Sequence, residues 1–183
     1  MKSKKAVVFL ANGFEETEAL VPADLLRRAG VEVTLASISS SKSVIGSHNI
    51  NVTADELMAD VDCSVFDLLM LPGGPGHKNL YACERLKDIL RKANDDKKII
   101  TAICAAPMVI GDMGLLNGEA ATCFPGYESY LKGADVQNSK AVVSSNRFVT
   151  GRSAAAAIEF GLAQIEALCG EEVKNKVAKE IIF

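Results

Sequence analysis

Histidine is scarce in this chain of 183 residues: only His48 and His77 occur, and none follows position 77. A cysteine-histidine catalytic pair would therefore need the fold to bring one of these two beside the thiol. The five cysteines, Cys63, Cys83, Cys104, Cys123 and Cys169, are odd in number and show no Cys-x-x-Cys spacing. Neither a disulfide framework nor a zinc site is expected, no metal or other cofactor is called for, and a reducing cytoplasmic setting fits best. No apolar run approaches the ~18 residues of a membrane span. After the basic start M-K-S-K-K, the run Ala6 to Ala11 ends in Asn-Gly and two glutamates, too short for the apolar part of a signal peptide. Charge of one sign is also lacking. With 20 basic and 23 acidic residues and a net charge of -3, no nucleic-acid surface and no membrane partner are expected. The glycine-rich segment lacks the Gly-Lys-Ser/Thr ending of a phosphate loop, and there are no repeats, linkers or low-complexity tracts.

What is present suits one domain over residues 1–183, at 49% apolar residues and with length enough for a substantial core. Strand-like runs recur at Ala6 to Ala11, Val31 to Ile38, Phe66 to Leu71, Lys98 to Ile103 and Ala141 to Thr150. Several are apolar throughout, as in a parallel sheet covered on both faces. Helical patterns lie between them, at Glu16 to Ala29, Asn79 to Asn94, Pro107 to Gly114 and Ala154 to Leu168, with Gly30 and Gly170 placed as stops. The class is α/β. Pro22 predicts a kink or broken turn in the first helix, and Val44 to Thr53 reads as a small extended excursion, a hairpin.

Cys104 stands where an apolar strand pattern runs into a helical one, in T-A-I-C-A-A-P, with Ala102 and Ala106 two positions to either side. A nucleophile elbow has this layout: the side chain is thrust outward and the crowded neighbours must be small. The helix behind it points its positive end at the sulfur and favours thiolate. The competing reading is a buried cysteine acting as a small hydrophobe. In a parallel sheet, ligands bind beyond the carboxyl ends of the strands. Three loops converge there: Asn12 to Glu16, Pro72 to His77 with its double glycine, and the elbow. The glycines either form a tight turn or present amides to an oxyanion. Glu15, Glu16 and Glu18 crowd the start of the first helix, where carboxylates cap and oppose the dipole. One pointing inward at the sulfur would have to be protonated and donate a hydrogen bond. His77 is an alternative partner, with an exposed loop position as its default.

These residues together resemble the DJ-1/ThiJ/PfpI superfamily, in its DJ-1 and YajL branch. The matching segments are A-N-G-F-E-E-T-E with Glu18, D-L-L-M-L-P-G-G, A-I-C-A-A-P, T-C-F-P and I-E-F-G-L-A. The resemblance implies a flavodoxin-like three-layer sandwich and a homodimer, with Cys104 as reactive cysteine and Glu18 as its protonated partner. It further implies an oxyanion pocket from Gly74 and Ala105, shaped by Gly73. Glu15, Arg28, Gly46 to His48, His77, Phe124 and Arg152 are candidates for the rim or for dimer contacts. Small reactive aldehydes or glycated groups are the implied substrates of a glyoxalase or deglycase activity, and a redox sensor or chaperone using oxidation of Cys104 is the alternative. Some departures narrow the reading. Ala105 stands where protease-like relatives carry a histidine, so proteolysis is disfavoured. Glutamine amidotransfer needs a downstream His-x-Glu that is missing, and Phe124 replaces the histidine that some relatives place before the proline.

Overall fold

The computed structural model describes residues 3–183. In chain order its elements are β1 (Lys5–Leu10), α1 (Glu16–Arg28), β2 (Glu32–Ser37), β3 (Ser43–Ile45), β4 (Asn51–Thr53), β5 (Glu56–Leu57), β6 (Leu68–Leu71), α2 (His77–Ala82), α3 (Glu84–Asp95), β7 (Ile99–Ile103), α4 (Pro107–Asp112), β8 (Ala120–Ala121), β9 (Asp135–Val136), β10 (Val142–Ser145), β11 (Phe148–Gly151), α5 (Ala157–Cys169) and α6 (Glu171–Glu180). Seven strands form the main sheet in the order β10-β11-β7-β6-β1-β2-β5. All neighbours are parallel except β10, which runs antiparallel to β11 at the edge. The α/β class with a mostly parallel central sheet is thus present.

Alternation along β1 explains the layers. Val7 and Phe9 face one apolar cluster with Leu86, Leu90, Val109 and Ile110, whereas Ala6, Val8 and Leu10 face the other with Leu25, Leu26, Phe160 and Ile165. A strand that buries both faces has no polar position to spare, which is why β1, β6 and β7 read as continuous apolar runs. Truncating one of these buried leucines to alanine costs about 2–5 kcal/mol.

Local differences from the sequence reading have simple causes. The run Ala141 to Thr150 is not one strand: Asn146, at φ 49°, turns it into the β10-β11 hairpin. The single pattern from Asn79 to Asn94 breaks at Cys83, whose backbone is extended, giving α2 and α3. Helix α1 runs unbroken through Pro22, so of the expected kink or broken turn the break does not occur, since proline removes only one interior hydrogen bond. Helix α6 and the short β8-β9 pair had no clear pattern. Val44 to Thr53 does form a hairpin, β3 against β4, and Gly30, at φ +80°, closes α1 by donating to the Arg27 carbonyl. No helix among the described residues is long and apolar enough to cross a membrane.

Candidate active site

Three adjacent strands, β1, β6 and β7, deliver the three predicted loops to one end of the sheet. Cys104 follows β7 directly and adopts φ +64°, a left-handed conformation that costs a non-glycine residue energy and persists only when its surroundings enforce it. Two backbone hydrogen bonds hold it: the Cys104 amide donates to the Gly151 carbonyl (2.9 Å), and its carbonyl accepts from the Phe124 amide (2.7 Å). The elbow is real, and β11 and the Thr122 to Phe124 segment pin it from two sides.

Glu18 lies in the first turn of α1 and is 1% exposed. Its Oε2 accepts the Gly73 amide at 3.0 Å, and its carboxyl and the Cys104 side chain both press against Gly73. Close packing makes glycine obligatory at position 73. A Cβ there would sit 2.5 Å from Glu18 Oε2, 2.7 Å from the Cys104 Cβ and 2.9 Å from the Ile103 carbonyl oxygen. Gly74 is constrained differently, at φ +75° and against the Glu15 amide. The amides of Gly74 and Ala105 both act on the Cys104 sulfur, and neither donates to a backbone carbonyl among the described residues.

Burial pushes the Glu18 carboxyl up to about 7, reinforced by the Glu15 charge and opposed by hydrogen bonds from Cys104 and the Gly73 amide. It is therefore half protonated near neutrality, rather than an ordinary carboxylate. For Cys104 the structure corrects the sequence reading. Burial first, then the Glu18 charge and hydrogen bond, push the thiol up to about 12, and the Gly74 and Ala105 amides only partly offset this. The pair holds one negative charge readily and resists a second, so its protons titrate together.

Other predicted residues fall in distinct places. His48, exposed, hydrogen-bonds through Nδ1 to Glu16 Oε2 at 2.9 Å and lies 3.6 Å from Glu15. Its partner raises its pKa. Glu16 is no mere cap: it takes the His48 amide at 2.8 Å and the Ser47 hydroxyl at 3.1 Å. Burial opposes its charge, but these contacts outweigh it and hold the carboxyl at about 2. Glu15 accepts from the same hydroxyl at 2.9 Å and makes no side-chain cap. Together these contacts tie the β3-β4 hairpin to the start of α1. Glu15, Glu16 and His48 also have ligand atoms within 4.8 Å of one another, although all three are already engaged internally. Arg28 is placed away from the thiol. It pairs with Asp24 and Glu180 at the far end of α1, about 15 Å of helix from Glu18.

His77 is not the exposed loop residue expected. It is 5% exposed, bonded through Nδ1 to the Gly74 carbonyl at 2.8 Å and packed edge-on against Tyr127. That leaves Glu18, and not His77, as the acid-base group joined to Cys104. Phe124 is 43% exposed on the rim, and its contribution to the site is its amide. Arg152 follows Gly151, beside the elbow. Thr150 was missed by sequence reading: its hydroxyl accepts the Thr122 amide at 2.9 Å, fixing the segment that carries Phe124. Its place in an otherwise apolar strand was the only signal.

The profile of the DJ-1/PfpI family matches residues 4–167. The chain belongs to that family. Among its curated members, Protein DJ-1 homolog B of Arabidopsis thaliana is 37% identical over 183 residues, covering 99% of this chain and 42% of that protein; homolog A is 47% covered. The chain thus spans less than half the length of these two relatives. The glutathione-independent glyoxalase DJR-1.2 of Caenorhabditis elegans is 31% identical over 97% of this chain and 96% of its own length. YraA of Bacillus subtilis, named provisionally as a cysteine protease, is 35% identical over 82% of this chain and 90% of its own. Among solved structures, oxidized Toxoplasma gondii DJ-1 superposes with a TM-score of 0.93 at 35% identity, over 99% of both chains. The family's flavodoxin-like α/β architecture is that of this chain.

Proposed function

We propose that the protein is a glyoxalase or deglycase acting on small reactive aldehydes such as methylglyoxal, working through Cys104 and Glu18 without a cofactor. The observation that carries this reading is the close packing of Glu18 and Cys104 on Gly73, next to amides of Gly74 and Ala105 that donate to no backbone carbonyl among the described residues. A carboxyl held near 7 is matched to neutral-pH proton transfer. As the sulfur attacks the aldehyde carbon, Glu18 takes the thiol proton and the carbonyl π pair moves to oxygen, where the two amides stabilise it. Returning the proton gives a neutral hemithioacetal. For an oxoaldehyde, Glu18 next moves the proton from the hemithioacetal carbon to the neighbouring carbonyl carbon, and the hemithioacetal hydroxyl proton passes to the neighbouring carbonyl oxygen. The resulting thioester is hydrolysed by water to a hydroxy acid and the free thiol. Atoms balance as oxoaldehyde plus water to hydroxy acid. The name of the nematode relative supports the chemistry. Proteolysis is less well supported despite the Bacillus name, because Ala105 offers no base beside the nucleophile.

Turnover of methylglyoxal by the purified protein tests this, with Cys104→Ser as the blank. Glu18→Ala should lose roughly 10²- to 10⁴-fold, the worth of a positioned acid-base group. Activity retained within a few fold in Glu18→Ala, but collapsing in His77→Ala, would show the wrong partner.

A second reading is redox sensing, in which oxidation of Cys104 to sulfinate is the functional event. The relative solved in an oxidized form favours keeping it. Peroxide titration with peptide mapping checks it: Cys104 should oxidise ahead of Cys63, Cys83, Cys123 and Cys169, and equal reactivity would refute it. For either reading we propose a homodimer formed through α1 and the β3-β4 hairpin, where Ile45 and Ile50 are 49% and 53% exposed.

A further inference from the structure

The chain has three tyrosines and no tryptophan, and all three tyrosines gather at one place. Tyr81, Tyr127 and Tyr130 line a cleft of about 280 Å³ together with His77, Lys78 and Met108. Tyr127 and Tyr130 stand 6.3 Å apart at 34°, Tyr81 meets Tyr130 edge-on at 6.4 Å, and Tyr127 covers the His77 ring edge-on at 5.1 Å. Helix α2, the start of α4 and a single 3₁₀ turn at Glu128–Tyr130 bring them together. Tyr81, Tyr127 and Met108 pack on the Val109 and Ile110 side of the sheet, whereas the buried residues of α1 and of the β3-β4 hairpin pack on the other. The proposed dimer surface therefore leaves this cleft open.

The lining selects an occupant. Small-molecule sites are mostly apolar, with a few polar groups that fix orientation. A dry cavity of ~150 Å³ already holds benzene, so this volume takes one ring with a short substituent, and aromatic walls favour a flat one. Lys78 is the one charged residue of the lining, and among the described residues it joins no ion pair. Other charges nearby are already engaged. Lys87 pairs with Glu84 and covers the Tyr81 ring at 4.5 Å, and Asp112 takes the Tyr81 hydroxyl and the Lys132 ammonium, each at 2.8 Å. A cation is disfavoured, because Lys78 repels it and Lys87 already occupies a face of Tyr81. His77 supplies a polar wall: Nδ1 donates to the Gly74 carbonyl, and Nε2 has no partner among the described residues.

We infer that this cleft is a binding site for a small aromatic carboxylate, its ring against Tyr127 and Tyr130 and its carboxylate at Lys78. The inference goes beyond the proposed reaction and requires no chemistry at Cys104.

Intrinsic fluorescence reports on this cleft alone, since every tyrosine of the chain lines it and tryptophan is absent. Phenylacetate, phenylacetamide and benzylamine carry the same ring with negative, zero and positive charge, and none absorbs where tyrosine is excited. Titrated into the full chain, phenylacetate should change the emission saturably and bind about fivefold more tightly than phenylacetamide, the range of an exposed charge pair, with benzylamine weakest. Lys78→Gln should make phenylacetate and phenylacetamide equal. Tyr127→Leu, which keeps an apolar wall but loses the ring, should weaken both by up to about tenfold, and cyclohexylacetate, with the same charge and no flat ring, should bind the wild type less tightly than phenylacetate. Cys104→Ser should bind phenylacetate as the wild type does. The absence of a saturable change with phenylacetate overturns the inference, as does a charge preference that survives Lys78→Gln. Tightest binding by benzylamine would make the cleft a cation site and overturns the carboxylate assignment. Loss of phenylacetate binding in Cys104→Ser would place the ligand at the thiol instead. Methylglyoxal turnover enters none of these readings, so failure of the proposed reaction and failure of this site remain distinct results.

Discussion

Replacing Gly73 by alanine isolates how much of the site depends on space alone. Two of the three atoms the new methyl would meet cannot yield: the Ile103 carbonyl oxygen belongs to β7, and the Cys104 Cβ is fixed by an elbow at φ +64°. The third, Glu18 Oε2 at 2.5 Å, can move only by giving up the Gly73 amide or the thiol. The variant must therefore shift the β6 loop or break the Glu18 hydrogen bonds. Overpacking costs about 1–3 kcal/mol, and a buried carboxyl stripped of a partner about 1–3 more. A total near 3 kcal/mol lowers the melting temperature of a chain this size by roughly 6–12 °C. Gly30→Ala is the control, because a Cβ at Gly30 meets nothing within 4 Å and the only cost is its φ of +80°, about 1 kcal/mol and roughly 2–4 °C. Melting curves of both variants, alongside the rate of Cys104 alkylation, give the comparison. If Gly73→Ala melts within 2 °C of Gly30→Ala and its thiol reacts at the wild-type rate, the packing argument is refuted.

The Glu18 carboxyl is raised from 4.5 to about 7, so the sign of its linkage is fixed: its contribution to stability is full below pH 4.5 and lost as pH rises through 7. The loss is about 3 kcal/mol, and Glu18→Gln should remove it, so that wild type and variant diverge between pH 5 and 8 in denaturant melts; parallel pH profiles would contradict this. Glu16→Ala removes the acceptor that binds the His48 amide and the Ser47 hydroxyl. It should speed hydrogen exchange at the His48 amide at least tenfold, with β1 and β7 unaffected, while unchanged exchange would mean that another contact holds the hairpin. Sedimentation at micromolar concentration should give twice the chain mass of 19.4 kDa, and a clean monomer would dismiss the proposed dimer.

How much of this was legible in the sequence depended on whether the determinant was local. β1, β6 and β7 could be read because each is short, mostly apolar and bounded by turn residues, and the elbow because small residues flank Cys104 at the positions that crowd. Glu18 was readable only as one of three carboxylates. Sequence spacing alone does not distinguish a glutamate turned toward β6 from one turned toward the hairpin, since Glu15, Glu16 and Glu18 occupy less than one helical turn. The family resemblance supplied that choice, and in the structure it is Glu18 whose carboxyl takes the Gly73 amide. His77 was misjudged because glycine-rich loops are usually exposed, whereas here α2 starts at once and Tyr127, 50 residues on, covers the ring.

The thiol shows where a local argument runs out. A helix behind the elbow favours thiolate by about 0.3–1 kcal/mol, and α4 has only six residues with which to do so. A carboxylate in hydrogen-bond contact disfavours it by about 4 kcal/mol, for unit charges ~4 Å apart at an effective dielectric constant of 20. Burial of the sulfur and the long-range contact of Glu18 with Cys104 therefore decide the sign together, and the effect that could be read from neighbouring residues is the smaller one. The same magnitudes give the pair its chemical use. Because a second negative charge is so disfavoured, ionising the sulfur at neutral pH requires Glu18 to hold the proton. Attack on a carbonyl and protonation of the carboxyl are then one coupled event, with the displaced charge passing to an oxygen that the amides of Gly74 and Ala105 can receive.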